Sequence, residues 1–196
     1  MYFVAIKMLF KDKIKFFTLL AGLTFSILIV VQLGSIFCGL MMRFTSQMIA
    51  SEVPIWFRDT NTKIFDAPGA MPNDALMKIR SIDGVKWAEP YISVKINAKL
   101  PNGEQQAIGL VGVDEASLIG IPPRILKGDI TKINLPESVA VDKNQLEMLG
   151  NPKIGDVFEI NDQRAKIIAV IDFPPNTFST PIFYTTLDKA YSYIPA

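Results

Sequence analysis

"KDKIKFFTLLAGLTFSILIVVQLGSIFCGLMMR", residues 11–43, decides what kind of protein this is. Phe16 to Met42 run without a charge, bracketed by Lys15 and Arg43. About 20 apolar residues suffice to cross a hydrocarbon core of roughly 30 Å, so the stretch is long enough. A secretory signal holds only about 7–15 apolar residues and closes on a small-residue cleavage site. Neither Ser35-Ile36-Phe37-Cys38 nor Met48-Ile49-Ala50 has that form, and Phe37 stands where a lipoprotein signal has a small residue. The spacing predicts a retained transmembrane helix over 16–42.

The flanks predict its orientation. Lys7, Lys11, Lys13 and Lys15 precede the span, against Arg43 and Arg58 shortly after it. Basic residues are retained on the cytoplasmic side, which puts the N-terminus inside and residues 43–196 outside, in the periplasmic or other extracytoplasmic space. Phe3, Ile6, Phe10, Ile14 and Phe17 recur at steps of three and four while Lys7, Lys11 and Lys15 fall on another face, which marks residues 1–15 as the helix before the span. That periodicity predicts a cytoplasmic amphipathic helix lying in the membrane lipid interface. Inside the span, Thr18, Gly22 and Ser26 repeat at intervals of four, as do Ser35 and Gly39, with Gln32 near mid-membrane. Such spacing allows close helix approach, and it is also common in ordinary spans.

The whole chain has 20 basic and 19 acidic residues; four lysines and Asp12 precede the exported part, which leaves 16 basic against 18 acidic there. This near-neutral balance gives no electrostatic footprint for nucleic acid. The single cysteine, Cys38, lies in the span. No disulfide can form within the chain, and the exported part must be held by core burial.

Residues 43–196 read as one α+β extracytoplasmic domain, with strand and helix order that argues against a sandwich. Val53–Phe57 reads as a short strand, and Asn73–Ile82 as a helix with an apolar stripe of Ala75, Leu76, Ile79 and Ile82, stopped by Gly84. Ile92, Val94, Ile96, Ala98 and Leu100 alternate with Ser93, Lys95, Asn97 and Lys99. With Asn102-Gly103 as a two-residue turn, this predicts a hairpin pairing Ala98 with Ala107, Val94 with Val111 and Ile92 with Val113. Asp114 caps the turn "DEASLIG". Further on, Ser138–Val141 reads as a strand, Lys143–Leu149 as a helix ended by Gly150, and Val157–Ile160 with Ala165–Ile171 as a second hairpin. Ile182–Thr185 is a last strand, and the chain turns helical from Leu187.

Histidine is absent, which removes Ser-His-Asp, Cys-His and H-E-x-x-H chemistry at once. Cys38 in the span is a poor nucleophile, because a thiolate there is costly. Asp59, Asp66 and Asp74 are scattered loop acids, and Asp114 and Glu115 are solvated turn residues. A Ser-Lys pair is allowed by residue types, though no S-x-x-K spacing occurs. The expectation is no enzyme activity, no cofactor and no metal. The loop "DFPPNTFSTP" (172–181) sets Phe173, Pro174, Pro175 and Phe178 together. Aromatics on a stiff loop suit a protein partner contact; equally, both phenylalanines could fold back onto the core.

The opening "VAIKMLFKDKIKFFTLLAGLTFSILIVV" resembles the start of MacB/FtsX-type ABC transporter permeases. "ALMKIRSIDGVKWAEPY" is similar to the first helix and next strand of their outer domain, the MacB-like periplasmic core domain. "KLPNGEQQAIGLVGVDEASLIGIPPRILKGD", "ESVAVDKNQLEMLG", "KIGDVFEINDQRAKIIAVID" and "STPIFYT" look most like the DevC-like (heterocyst-type) exporter permeases. The resemblance implies a permease subunit of an exporter in the plasma (inner) membrane, working as a homodimer with a cytosolic ABC ATPase. It also implies a periplasmic membrane-fusion adaptor that leads to an outer-membrane channel. Such permeases have four spans, so these residues correspond to the first span and an outer domain incomplete at its C-terminus. The residues by themselves also allow a single-pass anchored sensor or adaptor domain.

Overall fold

The computed structural model describes residues 11–60, 71, 72, 74–122, 124–173 and 180–194. The chain divides into two units, one reaching Phe44 and the other starting at Thr45. Of the expected interfacial helix, residues 1–10 lie outside the described residues.

Helix α1 (Lys13–Ala50) contains the apolar stretch. Asp12 starts it, accepting from the Lys15 amide at 3.3 Å through its side chain and from the Phe16 amide at 3.0 Å through its carbonyl. Its 38 residues make a rod of about 57 Å at about 1.5 Å per residue. Lys13–Ser46 is long and apolar enough to cross a membrane, and none of its most apolar window is buried within the chain. An apolar window left uncovered among the described residues is what lipid would cover. Thr18, Ser26 and Ser35 each donate to the carbonyl four residues back, at 2.9 Å.

The second unit is a mixed α+β domain. In chain order it has α2 (Ala75–Arg80), β1 (Tyr91–Lys99), β2 (Gln105–Val113), β3 (Ile125–Gly128), β4 (Ser138–Asp142), β5 (Val157–Ile160), β6 (Gln163–Ile171), β7 (Ile182–Thr186) and α3 (Leu187–Tyr193). Short 3-10 turns span Ile130–Asn134, Lys143–Gln145 and Glu147–Leu149. The sheet runs β3-β6-β4-β7-β2-β1-β5, and β5 also pairs with β6. Six strands thus close on themselves, with β3 added outside along β6.

Closure gives the strands two differently occupied faces. Inward, Ile108, Leu110, Val141, Phe158, Ile167 and Phe183 form a buried core, which Ala190 and Tyr193 of α3 join. Phe158 and Phe183 meet edge to face with ring centroids 5.5 Å apart. Outward, Val111, Val113, Ile133, Ala140, Ile171 and Tyr184 form a second buried layer. A bulge makes both layers possible on β6. Val139 is level with Ile167 but Ala140 with Ala169, so Ile168 is the extra residue and the inside-outside alternation shifts there. Gly112 permits α3 to close the barrel, since a Cβ on it would stand 2.5 Å from the Ala190 Cβ and 2.6 Å from Ile92 Cγ2.

Several expectations need correction. The first hairpin is shifted by one residue: Ala98 is level with Gln106, Val94 with Leu110 and Ile92 with Gly112. The loop has three residues, not two. The Gly103 amide donates to Leu100 O at 2.9 Å, Gly103 adopts φ 88°, and the Leu100 amide donates to Glu104 O at 2.8 Å. Pro101 suits the first central position of a type I turn, and Gly103 supplies the left-handed residue that follows. Val53–Phe57 forms no strand; Trp56 instead stacks edge to face on Tyr91, 4.9 Å between centroids. Helix α2 is shorter than expected and buries none of its residues, and Ile82 lies beyond it, exposed. Lys143–Leu149 is two 3-10 turns rather than one α-helix. Strand β3 and the Ile130–Asn134 turn have no counterpart in the sequence pattern, because four residues without alternation carry no periodic signal.

Candidate functional site

The loop after β6 is the candidate partner contact, and both of its described ends are clamped. Phe173 is buried at 1% exposure, its ring 6.1 Å from that of Tyr184 in the outer core layer. It therefore offers no contact surface, and of the two readings of this residue the structure takes the core one. Pro174, Pro175 and Phe178 lie outside the described residues. At the far end, the Pro181 carbonyl accepts from the Gly109 amide at 2.8 Å.

A polar cluster holds the near end. Asn144 donates through its side-chain nitrogen to the Phe173 carbonyl and, at 3.1 Å, to Asp142 Oδ1. The Asn144 amide donates to the same oxygen at 3.2 Å. Asp142 is buried, and its other oxygen, Oδ2, has no partner among the described residues; nor has the Tyr184 hydroxyl. Burial pushes the Asp142 carboxyl up to about 6, against the pull of the Asn144 and Phe173 amides. Next to it, Asp172 bridges Lys143 at 2.6 Å and Arg124 at 3.2 Å. The D-x-N spacing at the end of β4 is the sequence signal that would have pointed here, as an Asx cap.

The structure also brings together one serine and one lysine. Lys189 Nζ lies 2.7 Å from Ser138 Oγ and 2.8 Å from the Leu135 carbonyl, and it also bonds the Ile133 carbonyl. Three acceptors use all three ammonium hydrogens and favour the charged form, although burial pushes the pKa down to about 8. Ser138 is 1% exposed, and its hydroxyl faces the Ile133 and Leu135 carbonyls at 2.5 Å each. A nucleophile must be reachable and its base must have a free lone pair; this pair has neither property. It is a latch between α3 and the Ile130–Asn134 turn.

Asp114 caps its turn as expected, accepting from the Ser117 amide at 2.9 Å and the Ala116 amide at 3.1 Å, and the Ser117 bond holds its carboxyl below the usual range. Among the described residues no group of three His, Cys, Asp or Glu side chains could hold a metal. An open cleft of about 320 Å³ lies between the hairpin tips, where Lys99 bridges Glu159 at 3.0 Å across the β1–β5 seam.

Comparison with known proteins adds a family. Residues 16–195 match the family described as the MacB-like periplasmic core domain. No curated protein matches the chain. Among solved structures, the extracellular domain of the noncanonic ABC-type transporter YknZ from Gram-positive bacteria is similar at 14% identity and a TM-score of 0.48, over 62% of this chain and 65% of that one. The periplasmic region of MacB from Actinobacillus actinomycetemcomitans is similar at 12% identity and a TM-score of 0.46, over 61% and 56%. A domain of a putative permease from Porphyromonas gingivalis is similar at 12% identity and a TM-score of 0.45, over 62% and 52%. The match thus spans between about half and two thirds of the length of those structures.

Proposed function

The chain belongs to the family of MacB-like periplasmic core domains, and on that premise we propose that it serves as the membrane (permease) part of an ABC-type exporter. In this reading α1 is the first span in the plasma membrane, with the N-terminus cytoplasmic, and the second unit is the outer domain. The outer domain transmits ATP-driven motion by contact to a periplasmic membrane-fusion adaptor and its outer-membrane channel, in the manner of the DevC-like branch. A cytosolic ABC ATPase supplies the motion, and the subunit works as a homodimer. The observation that carries the proposal is the family match over 16–195, which takes in both the apolar helix and the whole closed sheet. The order of DevC-like stretches along the sequence supports the finer assignment. Partner contact falls to Pro174, Pro175 and Phe178, with Phe173 as the root that fixes where the loop leaves the sheet.

Complexes isolated from native membranes through a tag after Ala196 should contain an ABC ATPase and a membrane-fusion adaptor. A reporter active only outside the cytoplasm, fused at the same place, should be active. Recovery of neither partner would overturn the exporter assignment, and activity of a cytosol-only reporter would overturn the orientation.

A further inference from the structure

The turn between β1 and β2 carries a reactive dipeptide. Asn102 is the one asparagine in the sequence that precedes a glycine. With no Cβ on Gly103, its backbone nitrogen meets the preceding side chain without a steric barrier. Both residues are exposed, so water and hydroxide reach them.

The turn holds the reacting groups in place. Asn102 Oδ1 accepts from the Glu104 amide at 3.0 Å, and Asn102 Nδ2 donates to Glu104 Oε2 at 2.7 Å. The first bond makes an Asx turn, which folds the side-chain amide back towards the Gly103 peptide. It also aims a donor at Oδ1, the atom on which charge develops when Cγ is attacked. The Gly103 amide donates to Leu100 O at 2.9 Å, which fixes the plane of the attacking nitrogen. At the other hairpin tip Asn161 stands before Asp162, whose Cβ and negative charge both hinder the same attack.

We propose that Asn102 is a site of spontaneous modification, converting in the folded chain to aspartate and isoaspartate. Hydroxide removes the Gly103 N–H proton, and that nitrogen forms a bond to Asn102 Cγ. The Cγ–Nδ2 bond breaks, Nδ2 takes a proton from water and leaves as ammonia, and a cyclic imide remains. Water opens the ring at either carbonyl. One opening leaves aspartate, and the other carries the main chain through the side-chain carbonyl as isoaspartate.

Both products set a carboxylate beside the Glu104 carboxylate that now accepts from Nδ2, and isoaspartate also lengthens the backbone of a three-residue loop. The bond that closes the turn, from the Leu100 amide to Glu104 O at 2.8 Å, is weakened in either case. Strand β5 is level with β1 at Ala98–Ile160 and Lys99–Glu159, directly before this turn. The modification therefore falls on the seam by which the sheet closes. It does not depend on the exporter reading.

The test holds the full chain in detergent micelles at mildly alkaline pH and digests samples at intervals. Electron-transfer fragmentation then separates aspartate from isoaspartate in the peptide containing Asn102. Asn102 should be the first asparagine to convert, with both products present, and Asn102→Gln should remove the signal. Amide hydrogen exchange at Leu100 should rise by about tenfold in the converted fraction, isolated by its added negative charge. Asn102→Asp should move that exchange in the same direction. Conversion that begins at another asparagine, or that occurs only after unfolding in urea, would overturn the site. Unchanged exchange at Leu100 in the converted fraction would overturn the effect on the seam.

Discussion

Lys189 Nζ stands 2.7 Å from Ser138 Oγ, joining residues 51 positions apart. The contact pins α3 against the start of β4 and the carbonyls that end the preceding 3-10 turn. It has the composition of a catalytic pair and the surroundings of a latch.

Lys189→Met should therefore act on stability. The change removes the ammonium donor from the Ile133 and Leu135 carbonyls and the Ser138 hydroxyl, leaving the carbonyls only the Ser138 hydroxyl and amide, and a loss of about 1–3 kcal/mol is expected. Chemical denaturation of the second unit measures it. A variant as stable as the parent would reject the latch.

Asp142 predicts a pH dependence. Its folded pKa, about 6, is raised from 3.8 by burial. The folded state holds this proton more tightly, so the contribution to stability is full below about pH 4, falls as pH rises through 4–6, and is lost above that. Asp142→Asn should remove this component. The stability difference between variant and parent should shift in favour of the variant from pH 4 to pH 7, and then stay level. A difference that does not change with pH would show that the carboxyl titrates normally.

Gly112→Ala should test how α3 closes the sheet. The added methyl would meet Ala190 and Ile92 at distances real Cβ atoms essentially never show. Overpacking of this kind costs about 1–3 kcal/mol. Thermal unfolding reads the loss, and restoration by a compensating Ala190→Gly would locate it at the α3 contact.

Phe173 and Phe178 should separate cleanly. Phe173→Ala removes a buried ring and should cost about 3–5 kcal/mol of stability. Phe178→Ala, in an anchor role, should weaken adaptor binding by about 1–3 kcal/mol with the melting midpoint unchanged. A large loss of stability from Phe178→Ala, with binding intact in the folded fraction, would remove the loop from the contact.

Much of the second unit was legible where a segment carries its own period. The alternation from Ile92 to Leu100 marks β1, and Gly150 marks the end of the turns that follow β4, taking the left-handed conformation at φ 79°. Less was legible where partners are distant. Ser138 and Lys189 carry no shared spacing, and the Phe173 side chain reads equally as anchor or core until Tyr184 is placed against it.

The sequence by itself determined the long apolar helix, the α+β class and most strand positions, because length without charge and periods of two are local properties. The hairpin register was decided only in three dimensions. Strand β2 has apolar residues on both faces, Ile108 and Leu110 inward and Val111 and Val113 outward. Its pattern therefore fits either register, and burial of both faces in a closed sheet makes the choice. Closure likewise depends on β5 reaching both β1 and β6, a long-range pairing that no single segment encodes.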